Sequence, residues 1–360
     1  MPRSSPQSAP STASDVDLYR LGSVSWQESQ LIYHALPRLG LEGLVLLRPA
    51  SPYVCIGYHQ DAAEDVDLAA CRAGGIPVFR REVGGGAVYL DGGQLFYQLV
   101  LDRDNPLVQG SKESIYRRLL APVVAVYRSL GLDATYRPVN DIMVGGRKIS
   151  GNGAGEIAES VVLVGNLIVD FDYDAMVRVL RVPDEKFRDK VHKSLRENLT
   201  TLRRELPTVP PYEGLESRLV HHFAEVLGPL TPRPLPEAVR REAERLAVER
   251  TSDDWLLRRS RRSPVQRVRI SASAQVIRRV HKAPGGLIRA TYEVRDGRLA
   301  SVDLSGDLFF YPPDGLDALA AALVGTPCAQ AEAAIAAFYA RHGIESPGVT
   351  PADLAALLAG

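Results

Sequence analysis

The stretch that decides the fold is Arg80-Arg81-Glu82-Val83-Gly84-Gly85-Gly86-Ala87-Val88-Tyr89-Leu90-Asp91, in which two arginines run into three consecutive glycines. Apolar segments at 75–79 and 94–101 flank it, and both are typical of buried strands. The glycines are therefore predicted in a turn between two strands of one sheet. Bare backbone N–H groups beside a guanidinium suit a phosphate or a carboxylate. A glycine-rich hairpin with solvated arginines would give the same pattern, because a lone glycine cluster is a weak signal.

The composition narrows the class of protein. Of the 360 residues 45% are hydrophobic and 24% charged, which is ordinary for a globular protein. Lys plus Arg and Asp plus Glu both number 43, so the net charge is zero and no nucleic-acid partner is expected. The three cysteines (Cys55, Cys71 and Cys328) form no CxxC pair, which argues against a zinc site and favours a reducing cytoplasm. No apolar run is long enough to span a bilayer and the N-terminus lacks a signal-peptide core, so we expect a cytoplasmic protein without a membrane segment.

A second glycine-rich stretch follows at Asn140-Asp141-Ile142-Met143-Val144-Gly145-Gly146-Arg147-Lys148-Ile149-Ser150-Gly151-Asn152-Gly153-Ala154-Gly155. Gly145-Gly146 between two short strands predicts a tight hairpin. Lys148 could stabilise negative charge on an acyl phosphate or carbonyl oxygen, or it could be a hairpin lysine in water. Asp141 could bind a phosphate-bound magnesium ion or a ribose, or it could cap a turn. The stretch has neither the ending of a P-loop nor the strand–GxGxxG–helix order of a dinucleotide fold.

The remaining chain predicts alternating helices and strands. Residues 1–14 are mostly Ser, Pro and Ala and are expected to form a disordered tail. Ser25 and Glu28 form a predicted capping box. Helices are predicted at 25–36, 65–73, 111–130, 173–180, 184–201 and 215–227, and strands at 44–47, 53–58 and 161–171. The helix at 184–201 is rich in Lys and Arg, which indicates either a solvated face or a surface for a phosphate or a partner.

A proline-rich segment at 228–236 divides the predicted elements and is expected to be a linker. Beyond it the chain predicts a charged helix near 237–250, strands, a hairpin turn at Asp296-Gly297 and closing helices. These strands are expected at 265–270, 286–294, 298–304 and 308–311, and the helices at 316–323, 329–339 and the last residues. The predicted fold class is α+β, with a large domain of mixed sheets flanked by helices at 15–227 and a small α+β domain at 237–360.

The combination of motifs is more specific than any one of them. Arg-Arg-x-x-Gly-Gly-Gly-x-Val-Tyr-x-Asp, then Asn-Asp-Ile, then Arg-Lys-Ile-Ser-Gly resembles the lipoate–protein ligase A family within the biotin/lipoate ligase superfamily. The resemblance covers most of residues 20–205. Trp255, Gly285-Gly286-Leu287-Ile288, Val294-Arg295-Asp296-Gly297 and Leu304-Ser305-Gly306-Asp307 are similar to that family's accessory C-terminal domain.

The resemblance implies a two-step reaction. Lipoate attacks the α-phosphate of ATP to give lipoyl-AMP and pyrophosphate, and a lysine of a small acceptor protein then takes the lipoyl group as an amide. Mg²⁺ would screen the phosphates, with Asp141 as its ligand. Lys148 would be the catalytic residue of both steps, and residues 161–167 would form a wall of the lipoyl tunnel. By the same resemblance the lipoyl and adenylate site comprises Arg81, Val83, Gly84, Gly85, Gly86, Tyr89, Asn140, Asp141, Lys148, Ser150, Gly151 and Gly165.

The chain departs from the family pattern near the lipoyl loop, and several alternatives stay open. The family usually has His at the position of Leu90 and a His-Gly pair where Val164-Gly165 stands, so the choice of acyl chain and acceptor is open. The acceptor could be a lipoyl domain or a specialised carrier similar to the glycine-cleavage H protein. One alternative is an octanoyl transferase with a catalytic cysteine, although no cysteine lies between 74 and 326. The others are biotin ligation and a non-catalytic acyl-binding module.

Overall fold

The structure is a computed structural model that describes residues 16–181, 188–260 and 275–358. The predicted tail at 1–14, the predicted strand at 265–270 and the beginning of the predicted basic helix at 184–187 lie outside the described residues. The strands are β1 (Val16–Val24), β2 (Gly43–Pro49), β3 (Tyr53–Ile56), β4 (Val78–Arg80), β5 (Val88–Leu90), β6 (Gln94–Asp102), β7 (Ala134–Arg137), β8 (Asp141–Val144), β9 (Arg147–Ser150), β10 (Asn152–Ile157), β11 (Ser160–Ile168), β12 (Leu230–Pro232), β13 (Gln275–Ala283), β14 (Gly286–Arg295) and β15 (Arg298–Gly306).

Helices connect and cover these strands. They are α1 (Trp26–Arg38), α2 (Ala62–Asp65), α3 (Leu68–Ala73), α4 (Lys112–Ser129), α5 (Tyr173–Val179), α6 (Arg188–Asn198), α7 (Leu202–Glu205), α8 (Tyr212–Leu227), α9 (Glu237–Arg250), α10 (Asp253–Leu256), α11 (Gly315–Ala322), α12 (Ala331–His342) and α13 (Pro351–Leu358). None of the helices within the described ranges is both long and apolar enough to cross a bilayer.

A six-stranded sheet with the order β10-β11-β6-β2-β1-β12 forms the centre of the molecule. Strand β1 is parallel to both β2 and β12, and the remaining neighbours are antiparallel. Side chains alternate across β2 and β6, so one face packs on α4 and α8 and the other on α1 and α9. The predicted mixed sheet flanked by helices is therefore confirmed, with a buried core on each face.

Local sequence signals explain where several elements begin. The side chain of Ser25 accepts from the backbone N–H of Glu28, and Glu28 accepts from the backbone of Ser25, so the predicted capping box starts α1. The helix predicted at 65–73 is present as α3, which ends at Gly74, but its predicted start is wrong. Asp67 caps α3, and Asp65 belongs to the preceding short helix α2, which Asp61 caps.

Two small sheets carry the glycine-rich stretches to one side of the central sheet. The sheet β4-β3-β5 holds the Gly84–Gly86 loop between its outer strands. The prediction that the strands at 75–79 and 94–101 share one sheet is wrong, because the short strand β5 follows the loop and β6 belongs to the central sheet. The sheet β7-β8-β9 holds the predicted Gly145-Gly146 hairpin.

The segment predicted as a linker, 228–236, contains the edge strand β12 of the central sheet. Leu230 pairs with Val16 on β1, and Pro232 lies at the edge, where the missing N–H of proline is tolerated. Helix α9, which follows, packs against α1 through Val239, Ala243 and Leu246. A domain boundary at 228–236 stays a prediction.

The C-terminal part of the described chain forms an antiparallel sheet, β13-β14-β15, with its own core under α11, α12 and α13. Asp296 and Gly297 have φ angles of 48° and 71° and form the predicted hairpin turn. The strand predicted at 308–311 is wrong, since β15 ends at Gly306 and Tyr311 makes only an isolated bridge to Glu345. Its apolar side chains are buried where this sheet meets the central domain, which is why the run resembles a strand.

Candidate active site

Lys148 lies on the second strand of the β8–β9 hairpin, where it pairs with Met143, and Asp141 begins the first strand. The hairpin turns at Gly145 and Gly146, whose φ angles of 54° and 77° favour glycine. The Nζ atom of Lys148 lies 2.8 Å from Asp141 Oδ1. Arg137 on β7 donates to Asp141 Oδ2 at 2.6 Å. The hairpin therefore presents a lysine that is paired with a carboxylate, while 33% of its side chain is still exposed.

The ionisation of Asp141 follows from this pairing. Burial alone would raise the pKa of its carboxyl group, but the Lys148 ammonium and the Arg137 guanidinium outweigh burial and hold the pKa below its usual range. The carboxylate is therefore ionised at neutral pH. It balances the charge of Lys148 until another anionic group approaches the lysine.

A network of side-chain amides fixes the strand that follows the hairpin. Asn140 and Asn152 each donate to the other's backbone carbonyl, with Asn152 Nδ2 lying 2.8 Å from Asn140 O. The Asn152 Oδ1 atom accepts from the hydroxyl of Tyr97. Ser150 donates to the carbonyl of Asn166 at 2.7 Å. These bonds hold Asn140 beside the hairpin and leave Ser150 supporting the backbone rather than facing the open site.

Charged side chains anchor both sides of the Gly84–Gly86 loop. The guanidinium of Arg80 is fully buried and donates to carbonyl groups in the segment 57–60, with 2.6 Å from Nη1 to Gln60 O. The carboxylate of Glu82 forms ion pairs with Arg38 at 2.8 Å and with Arg250 at 2.6 Å. The predicted picture of solvated arginines is therefore wrong for Arg80, whose donors organise the backbone around the loop.

Arg81 holds the loop in shape from inside. Its Nη2 atom donates to the carbonyls of Gly84 at 2.7 Å and Gly86 at 3.0 Å. The backbone N–H of Gly85, a residue with φ of 90°, donates to the carbonyl of Leu308 at 3.0 Å. In this structure the loop is thus covered by the C-terminal part of the chain.

A cavity of about 350 Å³ lies between the hairpin, the glycine loop and the central sheet. Eight of the residues predicted as site residues line it: Arg81, Gly85, Gly86, Asn140, Asp141, Lys148, Gly151 and Gly165. The two glycine-rich stretches, which are distant in sequence, therefore meet at one cavity. This is where an acyl chain and a phosphate could lie together.

Four other predicted site residues lie behind the cavity wall. Val83 is buried in the core and packs where Gly153 and Gly155 leave space. Tyr89, a residue of β5, is buried in a small core cluster, and Gly84 packs against the backbone of Leu308. Together with Ser150 these residues shape the loops rather than line the cavity. Their predicted binding roles stay predictions.

The apolar wall of the cavity comes from β5, β6 and β11. Val88, Leu90, Phe96 and Val164 line it, and Leu90 stands where the family pattern has His. Gly165 lies between Val164 and Asn166, and the Tyr97 hydroxyl crosses beneath it to Asn152, so a side chain at this glycine would collide with both groups. Part of the predicted tunnel wall at 161–167 thus does face the cavity.

Sequence reasoning gave no role to a further set of lining residues from the C-terminal part of the chain. Lys282, Pro284, Gly285, Gly286, Asp307 and Phe309 close one side of the cavity. Gly86 lies so close to Asp307 that an added Cβ would be 2.9 Å from its carboxylate oxygens. The sequence feature that could have indicated these residues is the pair of motifs Gly285-Gly286 and Gly306-Asp307. Both motifs resemble the family, but the resemblance did not indicate that they line the site.

The cavity fits the groups that the family resemblance implies. Lys148, Lys282 and Arg81 supply positive charge around it, and the backbone of Gly86, which is only partly buried, lines it. The N–H groups of Gly85 and Gly151 already donate to Leu308 and Asn166. For magnesium the oxygen donors are the carboxylates of Asp141 and Asp307 and the amide of Asn140. Such donors suit Mg²⁺, which is usually bound by one or two carboxylates together with substrate phosphates.

A lysine, two glycine-rich stretches and an apolar wall surround one cavity, an arrangement that suits an enzyme with an acyl substrate. Residues 24–224 match the model of the "Lipoyl protein ligase A/B catalytic domain" family. The chain belongs to this family. The predicted resemblance is thereby confirmed, whereas the identity of the C-terminal part as an accessory domain stays a prediction.

The relatives of this chain include both acyltransferases and ligases. The chain is 29% identical over 231 residues to the octanoyltransferase LipM of Kyrpidia tusciae, covering 58% of this chain and 84% of that protein. It is 28% identical over 261 residues to the lipoate-protein ligase LplJ of Bacillus subtilis, covering 72% of this chain and 74% of that protein. The chain is therefore similar to this ligase and to this acyltransferase at nearly equal identity.

Solved structures extend the likeness to the fold. A bipartite lipoate protein ligase of Thermoplasma acidophilum, described with its E2 lipoyl domain, matches with a TM-score of 0.61 and 29% identity over 68% of this chain and 96% of that one. A lipoate-protein ligase A bound with ATP matches with a TM-score of 0.57 and 28% identity, over 68% and 98% of the two chains. LipL1 of P. falciparum shares the fold over 91% of this chain and 95% of that one, with a TM-score of 0.66 at 15% identity.

Proposed function

We propose that the protein is an ATP-dependent lipoate–protein ligase that activates lipoate as lipoyl-AMP and transfers the lipoyl group to a lysine of an acceptor protein. The observation that carries this proposal is the position of Lys148. Its ammonium lies 2.8 Å from Asp141 at the edge of a cavity that also contains a phosphate-sized glycine loop and an apolar wall. A ligase that joins an acyl carboxylate to a nucleotide phosphate needs these three parts in one place.

In the first step a carboxylate oxygen of lipoate attacks the α-phosphorus of ATP, and pyrophosphate leaves. Negative charge builds on the phosphate oxygens in the transition state, and the Lys148 ammonium stabilises it. Since the Asp141 carboxylate already balances Lys148, the incoming phosphate exchanges with this carboxylate as the partner of the lysine. The Oδ1 atom of Asp141, released by Lys148 while Oδ2 stays paired with Arg137, would then hold Mg²⁺ together with Asn140, and the charge of the ion would screen the phosphates.

In the second step the neutral amine of the acceptor lysine attacks the acyl carbon, the bond to AMP breaks, and an amide forms. Lys148 again stabilises the oxygen that gains negative charge. The Val88, Leu90, Phe96 and Val164 wall holds the acyl chain in place, because burying its methylene groups stabilises the complex by about 0.8 kcal/mol for each.

The second candidate, transfer of an octanoyl or lipoyl group between carrier proteins, is favoured by one observation. Cys55 lines the cavity. From the sequence, its position before the glycine loop indicated only a core residue of a strand. Thiol-based transfer requires a thiolate. Burial, the largest influence on Cys55, raises its pKa, and this outweighs the attraction to Arg81. The thiol is therefore protonated at neutral pH, which favours the ligase.

The acceptor that we propose is a small lipoyl-domain protein, either a dehydrogenase lipoyl domain or a carrier similar to the glycine-cleavage H protein. The support is the likeness to a ligase described with its E2 lipoyl domain. A cytoplasmic location, where ATP and such acceptors occur together, completes the proposal.

The test is the intact mass of candidate acceptors after incubation with the full chain, ATP, Mg²⁺ and either lipoate or octanoate. A ligase adds a lipoyl-sized mass only when ATP is present and releases pyrophosphate. Octanoyl-charged carrier protein without ATP is offered in parallel, together with the Cys55→Ala variant. Modification from the charged carrier that Cys55→Ala abolishes would replace the ligase by the acyltransferase.

A further inference from the structure

The closed end of the cavity is polar, which a purely apolar acyl chain would not require. Gln30, Tyr33, Cys55 and Gln98 line this end, and each of them is at most 5% exposed. The Lys148 side chain at the mouth is 33% exposed. The cavity therefore runs from the Lys148 mouth, along an apolar wall, to a buried polar end, where Arg81 also reaches Cys55.

Strand register gives the direction of this path. On β6 and β11, Phe96 is opposite Asn166, and Gln98 is opposite Val164 two residues further along. Asn166 belongs to the mouth, since its Oδ1 atom accepts from the backbone of Gly151 at 2.9 Å. Two residues along a strand correspond to about 6–7 Å. Gln98 thus lies one such step beyond Asn166, away from the hairpin that carries Lys148.

The polar groups at the closed end pair with one another, apart from one atom. Gln30 donates to the Tyr53 hydroxyl at 2.6 Å and accepts from Tyr33 at 3.0 Å and from Cys55 Sγ at 3.6 Å. The Gln98 amide nitrogen donates to the backbone carbonyl of Ser29 at 2.6 Å. A carbonyl only accepts, so this bond fixes which end of the amide is nitrogen. Within the described part of the chain, the buried Gln98 Oε1 atom has no hydrogen-bond partner.

An unpaired buried acceptor has a direct chemical consequence for the bound chain. A buried carbonyl oxygen that is left unpaired destabilises its surroundings, and a ligand that donates to it relieves that effect. An alkyl end, as in octanoate, offers no donor. The disulfide ring of oxidised lipoate offers none either, whereas the dithiol form carries two S–H donors at the far end of the chain.

We propose that Gln98 is a specificity-determining residue that favours an acyl chain with a hydrogen-bond donor at its far end, namely the dithiol form of lipoate, over an unsubstituted chain of the same length. This inference rests on the proposed function in one respect, that the cavity binds an acyl chain with its carboxylate at the Lys148 mouth. It adds that the reduced and oxidised forms of lipoate are not equivalent to this enzyme.

The experiment measures equilibrium binding of four acids to the full chain by calorimetry, without ATP and under anaerobic conditions. The acids are dihydrolipoate, oxidised lipoate, octanoate and 8-hydroxyoctanoate, which adds one O–H donor to octanoate without redox chemistry. We expect 8-hydroxyoctanoate to bind about 10-fold more tightly than octanoate, and dihydrolipoate about 3-fold more tightly than oxidised lipoate, because S–H is the weaker donor. In Gln98→Met, which keeps the length of the side chain, both ratios should fall to about one.

Gln94→Met is the matched control, since Gln94 is also buried on β6 but its Oε1 already accepts from Asn166 at 2.7 Å. This variant should weaken binding of all four acids alike and keep the ratios. Melting temperatures of both variants verify folding. Ratios near one in the unaltered chain, undetectable binding of every acid, or ratios that survive Gln98→Met would each overturn the proposal. Pyrophosphate release with the same acids tests the ligase separately, so acids that bind with the expected ratios but release no pyrophosphate would refute only the activity.

Discussion

Two carboxylates face the same cavity and respond to it in opposite ways. Asp141 comes from the β8–β9 hairpin and Asp307 from the end of β15. Burial raises the pKa of Asp307, and its attraction to Lys282, Lys148 and Arg81 does not overcome this effect. The pKa of Asp141 is lowered, because its ion pairs with Lys148 at 2.8 Å and with Arg137 at 2.6 Å together outweigh burial. The pKa of a buried carboxyl group in this cavity thus depends more on a direct ion pair than on the number of cations nearby.

The hairpin and the C-terminal segment contribute to the site in different ways. The hairpin holds its lysine and aspartate in contact through a tight turn, so its charges are ready in the absence of any ligand. The C-terminal segment brings Lys282 and Asp307 to the cavity by packing against distant parts of the chain, through bonds such as those from Gly85 N–H to Leu308 O and from Gly306 N–H to His59 O. We therefore expect the chemistry to depend mainly on the hairpin, and closure of the site on the C-terminal segment.

The largest effect is expected for Lys148→Ala. Removal of a positioned charge donor lowers turnover by about 100- to 1,000-fold, by analogy with the loss of one donor to a developing oxyanion. Pyrophosphate release and lipoyl transfer, measured separately, should both fall. Lys193→Ala, a lysine on α6 with 77% of its side chain exposed, is the matched control and should leave both unchanged. Normal turnover in Lys148→Ala would remove the hairpin from the mechanism.

A smaller effect is expected for the corresponding lysine of the C-terminal segment. Lys282→Ala removes positive charge from the cavity but no direct ion pair of the hairpin, so we expect KM for ATP to rise about 10-fold with kcat changed less than threefold. Steady-state kinetics of pyrophosphate release give both constants. If kcat fell as far as in Lys148→Ala, the two parts of the chain would share the chemistry and the division drawn above would be wrong.

The sequence predicted those parts of the molecule that local patterns determine. The capping box of α1, the Gly-Gly hairpin and the Asp-Gly turn all depend on residues close together in the chain. The two glycine-rich stretches were predicted as one site only through the family resemblance. Periodicity alone would not have brought them to the same cavity.

What the sequence did not predict depends on contacts between distant residues. The proline-rich segment 228–236 offered no strand pattern, yet the open edge of β1 pairs with β12 there. Cys55 and Gln98 read as core positions of strands, and they are buried, but the cavity ends at them. Asp307 is an unremarkable turn residue until β15 packs beside Gly86. Each of these roles depends on tertiary packing, whereas hydrophobic periodicity reports only local secondary structure.

The smallest expected effect is on stability. The pH dependence of stability in Asp141→Asn and Asp307→Asn tests directly whether the two carboxylates differ. The folded pKa of Asp141 is lowered, so its contribution to stability is present above the ordinary aspartate value of about 4 and is lost as pH falls through the folded pKa. Asp141→Asn should therefore lower the melting temperature at pH 7. For a partly exposed pair the change in free energy is about 1 kcal/mol.

Asp307 should show the opposite sign. Its folded pKa is raised, so the folded state is favoured most below the ordinary pKa and loses stability as pH rises through the folded value. Asp307→Asn removes that loss and should raise the melting temperature at pH 7, while below about pH 4 the variant and the unaltered chain should converge. Thermal melting across pH 3 to 8 measures both variants. A lower melting temperature for both variants at neutral pH would contradict this difference. Nearby cations would then stabilise the ionised form of Asp307 as strongly as Lys148 stabilises that of Asp141.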